Sequence, residues 1–505
     1  MANASGPAPD GLIPADFRHA ASGIHYRVFA QPGPDQTTQV WLSYERESAS
    51  IENALSGRQQ LIYFLGSGKR GRTYLFQQQG YWFETPINWY EKKQIWDMAP
   101  NYLSAREMPL TLAVDPGCLH CHASAVASSL PDARNHYAGA PFANGGITCA
   151  ACHGDGSAHI ASGGRVSMAN IDAMEPIRRD SVCLSCHLEG QVVVERAGRQ
   201  LQSFIPGDNL FDYALFFVYS STNGSGGRAT SQWEALLKSA CKQKSGDKLT
   251  CTTCHDPHGS PTPADRVAFY RQRCLQCHNQ AGFQQNHHPE NPDCTACHMA
   301  RPPSNDIAHE QVTDHWIRKA VTQDRLPLAT SGDLQVVGGF EASDRDLGLA
   351  YAQMAVRGDR PGALRALELL RDAEMQSSGA PLDHGLHAQL GFLEQLNGET
   401  QLAAAEYRQA LAADPYDSLA AGDLAFIQAG QHQYPEAIRL WDSVFNHDPV
   451  QLGAGLNLAV VECGAGHRAA ALATLDRLLT FSPDNEKAQA MENRIRSGKQ
   501  SCGPE

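Results

Sequence analysis

The sequence predicts a multidomain protein with a small β-rich domain at the N-terminus, a central region of irregular and α structure, and an all-α solenoid at the C-terminus. Three observations support this prediction. Short aromatic and β-branched runs precede residue 118, the pattern Cys-x-x-Cys-His occurs six times between residues 118 and 298, and a 34-residue period follows residue 343. We therefore expect domains at 1–117, 118–320 and 343–498, with a linker at 321–342.

The β-rich prediction rests on runs such as Gln39-Val-Trp-Leu-Ser-Tyr-Glu and Tyr81-Trp-Phe-Glu-Thr. Runs of this kind, separated by Gly, Pro and Ser, are typical of β-strands. The Gln79-Gly80 step lies between two of them and predicts a hairpin turn. We expect the aromatic side chains of this domain to form its core.

The six Cys-x-x-Cys-His copies are the main chemical signal, and each has the form of a c-type haem attachment site. In such a site the two sulfurs form thioethers with the porphyrin, and the adjoining His takes an axial position on the iron. We therefore predict six covalent haem c groups in a haem-packed multihaem cytochrome c domain. The predicted attachment residues are Cys118, Cys121, Cys149, Cys152, Cys183, Cys186, Cys251, Cys254, Cys274, Cys277, Cys294 and Cys297. The predicted proximal ligands are His122, His153, His187, His255, His278 and His298.

Zinc ribbons and disulfide clips are the alternatives to haem attachment. Structural zinc needs four ligands per ion and places no demand on the residue after each Cys pair. In this chain His follows all six pairs. A disulfide framework would leave those histidines unexplained, so the spacing favours haem.

The second axial ligand decides between an electron carrier and a catalyst. A haem with both axial sites filled passes electrons, whereas an open site can bind a substrate. Ten of the 21 histidines lie outside both the motifs and the repeat region. We expect His25 and His120 to be structural, and Met98 or Met108 could replace one distal His. The predicted distal ligands are His19, His136, His159, His258, His309 and His315, with His287 and His288 in reserve.

Composition indicates the compartment and the class of partner. The formal charge of −13 argues against nucleic-acid binding and favours a redox partner with a basic docking face. No apolar run reaches transmembrane length, so we expect no membrane span. Bacteria attach haem c outside the cytoplasmic membrane, which predicts a periplasmic or extracellular protein. Because the segment starting at Met1 has neither a basic start nor an apolar run, we expect the signal peptide to be absent from this chain.

Three cysteines lie outside the motifs: Cys241, Cys463 and Cys502. Cys463 and Cys502 could form a disulfide late in the chain, although nothing in their spacing requires it.

The repeat prediction rests on residues that recur every 34 positions. The pattern is that of tetratricopeptide repeats, which are stacked pairs of antiparallel helices. Three units are clear, and a fourth at Asp344–Met375 is offset by an insertion at 377–383. Such a stack offers a concave face for a peptide or protein, and a rigid brace for the haem region is the alternative. The recurring residues include Leu390, Leu424 and Leu458, and Pro415, Pro449 and Pro483.

The runs Cys183-Leu-Ser-Cys-His-Leu-Glu, Leu249-Thr-Cys-Thr-Thr-Cys-His-Asp-Pro-His and Cys294-Thr-Ala-Cys-His-Met resemble bacterial multihaem cytochromes c fused to tetratricopeptide repeats. The haem core is similar to the tetrahaem cytochrome that accepts electrons from hydroxylamine oxidoreductase, and more distantly to pentahaem nitrite reductase. This resemblance implies stacked haem pairs and His/His ligation, with His159, His258 and His315 as distal ligands. The chain lacks the Cys-x-x-Cys-Lys motif of nitrite reductases, which argues against that activity.

We therefore expect an electron-transfer hexahaem cytochrome c, more a carrier than an enzyme, with closely packed haems ligated by two histidines each. Such ligation lacks a potential-raising Met, which predicts mostly negative potentials. The repeats would dock a redox partner or a second copy. One alternative is an oxidoreductase whose single open haem acts on a small nitrogen or sulfur compound. Another is a subunit of a polymeric haem wire whose terminal haems meet across a subunit contact.

Overall fold

In a computed structural model, the chain divides into two units. One unit holds Ile147–Ala373, and the other holds Asn3–Gly146 together with Glu374–Glu505. The predicted domain boundaries stay predictions. The structure describes residues 5–8, 14–34, 37–47, 55–67, 71–108, 112–130, 133–220, 229–280, 282–287, 290–301, 313–319, 328–330, 332–377 and 381–503.

Within the described residues, nine N-terminal strands form two antiparallel sheets, which confirms the β-rich prediction. The strands are β1 Ser5–Pro7, β2 Ala15–Arg18, β3 His25–Pro32, β4 Thr38–Arg46, β5 Leu55–Leu61, β6 Tyr63–Leu65, β7 Gly71–Gln78, β8 Tyr81–Tyr90 and β9 Ile95–Met98. Their orders are β2-β3-β4-β5 and β1-β6-β7-β8-β9. The turn at Gln79-Gly80 joins β7 to β8 with φ of 52° and 86°, as a primed hairpin turn requires. That predicted turn is therefore confirmed.

The core of this region follows from alternation along the strands. In β4, Val40, Leu42 and Tyr44 are buried while their neighbours are more exposed, because successive side chains point to opposite faces. These residues pack in one cluster with aromatic rings of the second sheet, among them Tyr74 and Phe76. The sheets are followed by α1 Pro116–His122, β10 Ala123–Val126 and β11 Phe142–Gly145.

The unit of residues 147–373 is built mainly from short helices. They are α2 Ala150–His153, α3 Ser157–Ala161, α4 Pro176–His187, α5 Gln232–Leu237, α6 Ala240–Ser245, α7 Cys251–Cys254, α8 Arg266–Leu275, α9 Phe283–Asn286, α10 Cys294–His298, α11 Asp344–Val356 and α12 Arg360–Gln376, the last of which runs three residues past the unit. A three-stranded antiparallel sheet lies among them, in the order β12 Val192–Glu195, β13 Ala214–Tyr219 and β14 Leu334–Val336. All six residues of β13 are buried, so this sheet supplies an apolar core.

An ion pair connects the start of helix α11 to Arg196, the residue that follows β12. Arg196 Nη1 lies 2.6 Å from Asp346 Oδ2, and the Asp346 side chain is almost fully buried. Asp346 also forms a capping box with Ser343 at the start of α11. A buried carboxylate with these partners avoids the cost of an unpaired charge.

Seven further helices confirm the C-terminal repeats. They are α13 His384–Leu396, α14 Thr400–Ala413, α15 Ser418–Gly430, α16 Tyr434–His447, α17 Leu452–Gly464, α18 Arg468–Phe481 and α19 Glu486–Arg496. The first helices of successive pairs begin at 384, 418 and 452, and the second helices at 400, 434 and 468, which reproduces the 34-residue period. Helices α11 and α12 form the fourth predicted pair, and they begin 40 residues before α13 and α14 because of the insertion between them.

Small residues permit close helix packing at one position of each of the three clear repeats. A Cβ at Gly391 would lie 2.6 Å from the Tyr407 ring, so this α13 position needs glycine for α14 to approach. Ala425 and Ala459 occupy the equivalent positions of α15 and α17 and are fully buried.

The last repeat shares its core with the N-terminal sheets, within the second unit. Phe481, at the end of α18, is 0% exposed, and its ring centroid lies 5.6 Å from that of Tyr81 and 5.9 Å from that of Phe83. Arg46 Nη1 donates to Asp484 Oδ2 at 2.8 Å, and the Met108 amide donates to the same oxygen at 2.9 Å. The repeats therefore brace the β-sheets of their own unit.

We predict that Phe481→Ala lowers the free energy of unfolding of this unit by about 3–5 kcal/mol, because it leaves a cavity where two elements meet. Phe426→Ala is the matched control, since that ring is 62% exposed and its removal should cost less than about 0.5 kcal/mol. Urea denaturation of the full chain measures both changes. Equal effects of the two substitutions would show that Phe481 is not a core residue.

Candidate haem-binding site

The six motifs lie on single helical turns. Motif residues of the form i, i+3 and i+4 share one helix face, so one turn points both thiols and the imidazole to the same side. The turn persists where a motif lies outside a regular helix: the His278 amide donates to Cys274 O at 3.0 Å, and the His153 amide donates to Cys149 O at 2.8 Å. Each motif thus presents the three side chains that a covalent haem requires.

Local capping residues start several of these turns. Asp115 accepts a hydrogen bond from the Gly117 amide at the start of α1, and Asp293 accepts from the amides of Thr295 and Ala296 at the start of α10. Thr250 forms a capping box at α7. These side chains satisfy amides that a helix leaves unpaired at its N-terminus, which stabilises each turn by about 1 kcal/mol.

Successive motifs within residues 147–373 lie side by side. Cys183 lies next to Cys251, and the interaction of the two thiols raises the pKa of Cys183 and lowers the pKa of Cys251. Cys274 lies against Cys294, although burial is the main reason that the pKa of Cys274 rises to about 12. The third motif is therefore next to the fourth, and the fifth is next to the sixth.

In the first pair of facing histidines, His153 of the second motif faces His258, which lies three residues after the fourth motif. The rings of His153 and His258 have centroids 6.1 Å apart and planes 4° apart. His153 Nδ1 donates to the carbonyl oxygen of Ala169 at 2.8 Å. This bond fixes the ring and leaves His153 Nε2 as the nitrogen that can bind a metal.

The second facing pair joins the fourth motif to His315. The rings of His255 and His315 have centroids 6.1 Å apart and planes 32° apart. His315 Nδ1 donates to Thr313 O at 3.0 Å, and Tyr270 Oη lies 3.3 Å from His255 Nδ1. Burial lowers the pKa of both histidines, which favours the neutral ring whose lone pair a metal ligand needs.

The third facing pair joins the sixth motif to His287. The rings of His287 and His298 have centroids 5.6 Å apart and planes 15° apart, and their Nε2 atoms lie 3.4 Å from each other. His298 Nδ1 donates to Arg318 O at 2.7 Å. The two Nε2 atoms therefore face each other.

These separations fit an iron held between two imidazoles. A metal-bound imidazole nitrogen lies about 2.0–2.1 Å from its metal, so two nitrogens on opposite sides of one ion are about 4 Å apart and the ring centroids about 6 Å apart. The ring centroids of the three pairs lie 6.1, 6.1 and 5.6 Å apart, which is close to about 6 Å. The carbonyl groups that hold Nδ1 are typical partners of metal-ligating histidines. The residues present therefore fit a haem with both axial positions filled by histidine.

Two of the predicted distal ligands face a motif histidine, namely His258 and His315, and so does the reserve residue His287. His159 donates from Nδ1 to Val166 O at 2.7 Å, in the same manner as the paired rings. Within the described ranges, no ring contact joins His159 to a motif histidine. His309 and His288 lie outside the described residues.

The other candidates lie near the N-terminal sheets. The two ring nitrogens of His19 contact Ser22 Oγ at 2.9 Å and Leu103 O at 3.1 Å. His136 stacks on Tyr81, with centroids 4.6 Å apart. The distal-ligand role stays a prediction for His19, His136, His159 and His309.

Four further sulfur-containing residues, Met98, Met108, Cys463 and Cys502, have structural roles. Met98 and Met108 are each 1% exposed in the core of the N-terminal sheets, where Met108 Sδ accepts a hydrogen bond from Tyr26 Oη at 3.3 Å. Cys463 and Cys502 form a disulfide, which ties the C-terminal segment to α17.

Sequence reasoning missed the contact between His287 and His298 of the sixth motif, and the carbonyl groups that orient the rings. The position of His287, seven residues before Cys294, was the available signal for the first. The carbonyls of Ala169, Thr313 and Arg318 carry no sequence signal, because every residue has a backbone oxygen.

A scan of family models matches the doubled CXXCH motif over residues 244–283. That segment contains the fourth and fifth motifs, Cys251–His255 and Cys274–His278. The match indicates covalent haem c binding, and haem c cytochromes are typically located outside the cytoplasm. A search of curated proteins finds no match to this chain.

Similar solved structures include a tetratricopeptide repeat protein from Parabacteroides merdae, at 17% identity over 31% of this chain and 61% of that chain, with a TM-score of 0.28. The match thus spans less than two thirds of the Parabacteroides protein. MamA AMB-1 matches at 21% identity over 31% of this chain and 81% of its own, with a TM-score of 0.26. Pseudomonas aeruginosa pilF matches at 22% identity over 31% of this chain and 70% of its own, with a TM-score of 0.26. The repeat architecture rests on the 34-residue helix spacing rather than on these scores.

The described part of the chain contains no helix that is both long and apolar enough to cross a membrane.

We predict that His315→Ala removes the distal ligand of the fourth haem. One iron in six should change from low spin to high spin and bind carbon monoxide, because an axial position opens. Electron paramagnetic resonance and carbon monoxide difference spectra measure the change. His25→Ala is the control, since His25 hydrogen-bonds to Asp16 on the N-terminal sheet. A spin change in the control, or none in His315→Ala, would contradict the assignment.

Proposed function

We propose that this protein is a hexahaem cytochrome c that transfers electrons in the periplasm or outside the cell. The strongest support is that three motif histidines each face another histidine, at a separation suited to an iron between them. The six motifs and the match to the doubled CXXCH motif support haem at the same positions. The Cys463–Cys502 disulfide suits an oxidising compartment.

The chain's own residues favour a carrier over a catalyst at these three positions. A bound haem supplies an iron that cycles between ferric and ferrous states. His153 with His258, His255 with His315, and His287 with His298 would fill both axial positions of their irons, which leaves no site for a substrate there. Carbonyl groups at Ala169, Thr313 and Arg318 hold three of the rings in place.

The likeness to the tetrahaem cytochrome of hydroxylamine oxidation extends this proposal to haem arrangement. Adjacent motifs, such as those containing Cys183 and Cys251, support close packing of neighbouring haems. We propose stacked haem pairs on this basis, with the electron donor and acceptor defined only as redox proteins.

We propose that the repeats dock a redox partner or a second copy of the chain. Phe392, Phe426 and Val460 occupy equivalent positions of α13, α15 and α17, and Phe426 and Val460 are 62% and 55% exposed. Apolar side chains at corresponding exposed positions are typical of a protein-binding face. The charge of −13 favours a partner with a basic face.

A second candidate function is an oxidoreductase with one open haem that acts on a small nitrogen or sulfur compound. The contacts of His19 favour it, because both its ring nitrogens already have oxygen partners at Ser22 and Leu103. If His19 keeps these contacts, His136, His159 and His309 must all serve as ligands to fill the three remaining irons, and the failure of any one of them leaves an open haem. Resting electron paramagnetic resonance spectra separate the two functions: six low-spin irons support the carrier, and one high-spin iron that binds cyanide rapidly supports the enzyme.

We predict that the protein matured in an export-competent host carries six covalent haems, measured by intact mass. Substituting both Cys251 and Cys254 with Ala should remove the mass of one haem, because the thioether bonds at that motif cannot form. The matched control is Cys241→Ala, because Cys241 lies outside the motifs and its substitution should leave all six haems attached. An unmodified polypeptide with metal on free thiolates would refute the proposed function.

A further inference from the structure

The segment between the fifth and sixth motifs places one histidine against another. His287 follows α9 directly, seven residues before Cys294. Its ring faces that of His298, the proximal histidine of the sixth motif. We infer that His287 is the distal axial ligand of the haem attached at Cys294 and Cys297, which rests on the proposed function that haem c is bound there.

The first support is the direction of the ring nitrogens. His298 donates from Nδ1 to Arg318 O at 2.7 Å, which directs its Nε2 toward His287 Nε2, 3.4 Å away. Two nitrogens on opposite sides of one metal are about 4 Å apart. The pair is therefore about 0.6 Å closer than that arrangement needs.

The second support is the packing that orients His287. Phe283 and His287 are one helical turn apart, and the His287 amide donates to Phe283 O at 2.9 Å. Their rings stack with centroids 4.8 Å apart and planes 21° apart. Because residues i and i+4 share a helix face, the short helix α9 presents both rings to the same side.

Phe283 also contacts the fifth motif. Its ring centroid lies 5.4 Å from that of His278, with planes 26° apart. The rings of His278, Phe283, His287 and His298 thus form a continuous column. Phe283 is therefore a positioning residue that fixes the His287 ring relative to both motifs.

This assignment changes the ligand set expected from the sequence. Both axial ligands of the sixth haem come from residues 287–298, so that site does not depend on a distant segment. His309 is then available to another iron.

The test compares His287→Gly with its neighbour His288→Gly in the haem-loaded full chain. We expect His287→Gly to keep six haems by mass, with one iron in six turning high spin and binding carbon monoxide. Added imidazole should restore the low-spin signal, because it fills the vacated ligand position. His288→Gly should resemble the wild type.

Six low-spin irons in His287→Gly would overturn the inference, as would a high-spin iron produced by His288→Gly while His287→Gly stays low spin. If His287→Gly fails to mature, His287→Met replaces it and should keep all irons low spin while raising the potential of one haem in a redox titration. An unchanged set of potentials would also overturn the inference. A wild-type protein without covalent haem would instead refute the proposed function, so the two failures are distinct.

Discussion

The presentation of two thiols and one imidazole on the same side of a single helical turn is the constraint on which the central part of this chain depends. Residues i, i+3 and i+4 share a helix face, and six turns repeat this arrangement between Cys118 and His298. A turn that unwound would separate the thiols from the proximal nitrogen. Capping by residues such as Asp115 and Asp293 therefore bears directly on haem attachment.

Ligand geometry adds a second, longer-range constraint. His258 lies three residues after its own motif, yet it faces His153, more than one hundred residues earlier. His315 reaches back to the fourth motif in the same way. Each such pair would fix two distant segments of residues 147–373 through one metal, which explains how a region with short helices can keep a defined structure.

The sequence predicted those features whose signal is local or periodic. The Gln79-Gly80 turn follows from residue preference, and the helices at 384, 418 and 452 follow from the 34-residue period. The pairing of distal histidines could not be predicted in this way. It depends on tertiary contacts, such as that of His287 with His298, which the local sequence does not reveal. Strand β14 pairs with β13 more than one hundred residues earlier, and neither segment alone indicates that sheet.

The shared core around Phe481 has a consequence for the order in which the protein can assemble. Arg46 and Asp484 are 438 positions apart along the chain, so the N-terminal sheets gain this contact only after nearly the whole polypeptide has been made. During synthesis the first motif, at Cys118, emerges long before the helix that completes its unit. The N-terminal sheets, and the first motif that follows them, therefore complete their unit only when α18 packs against them.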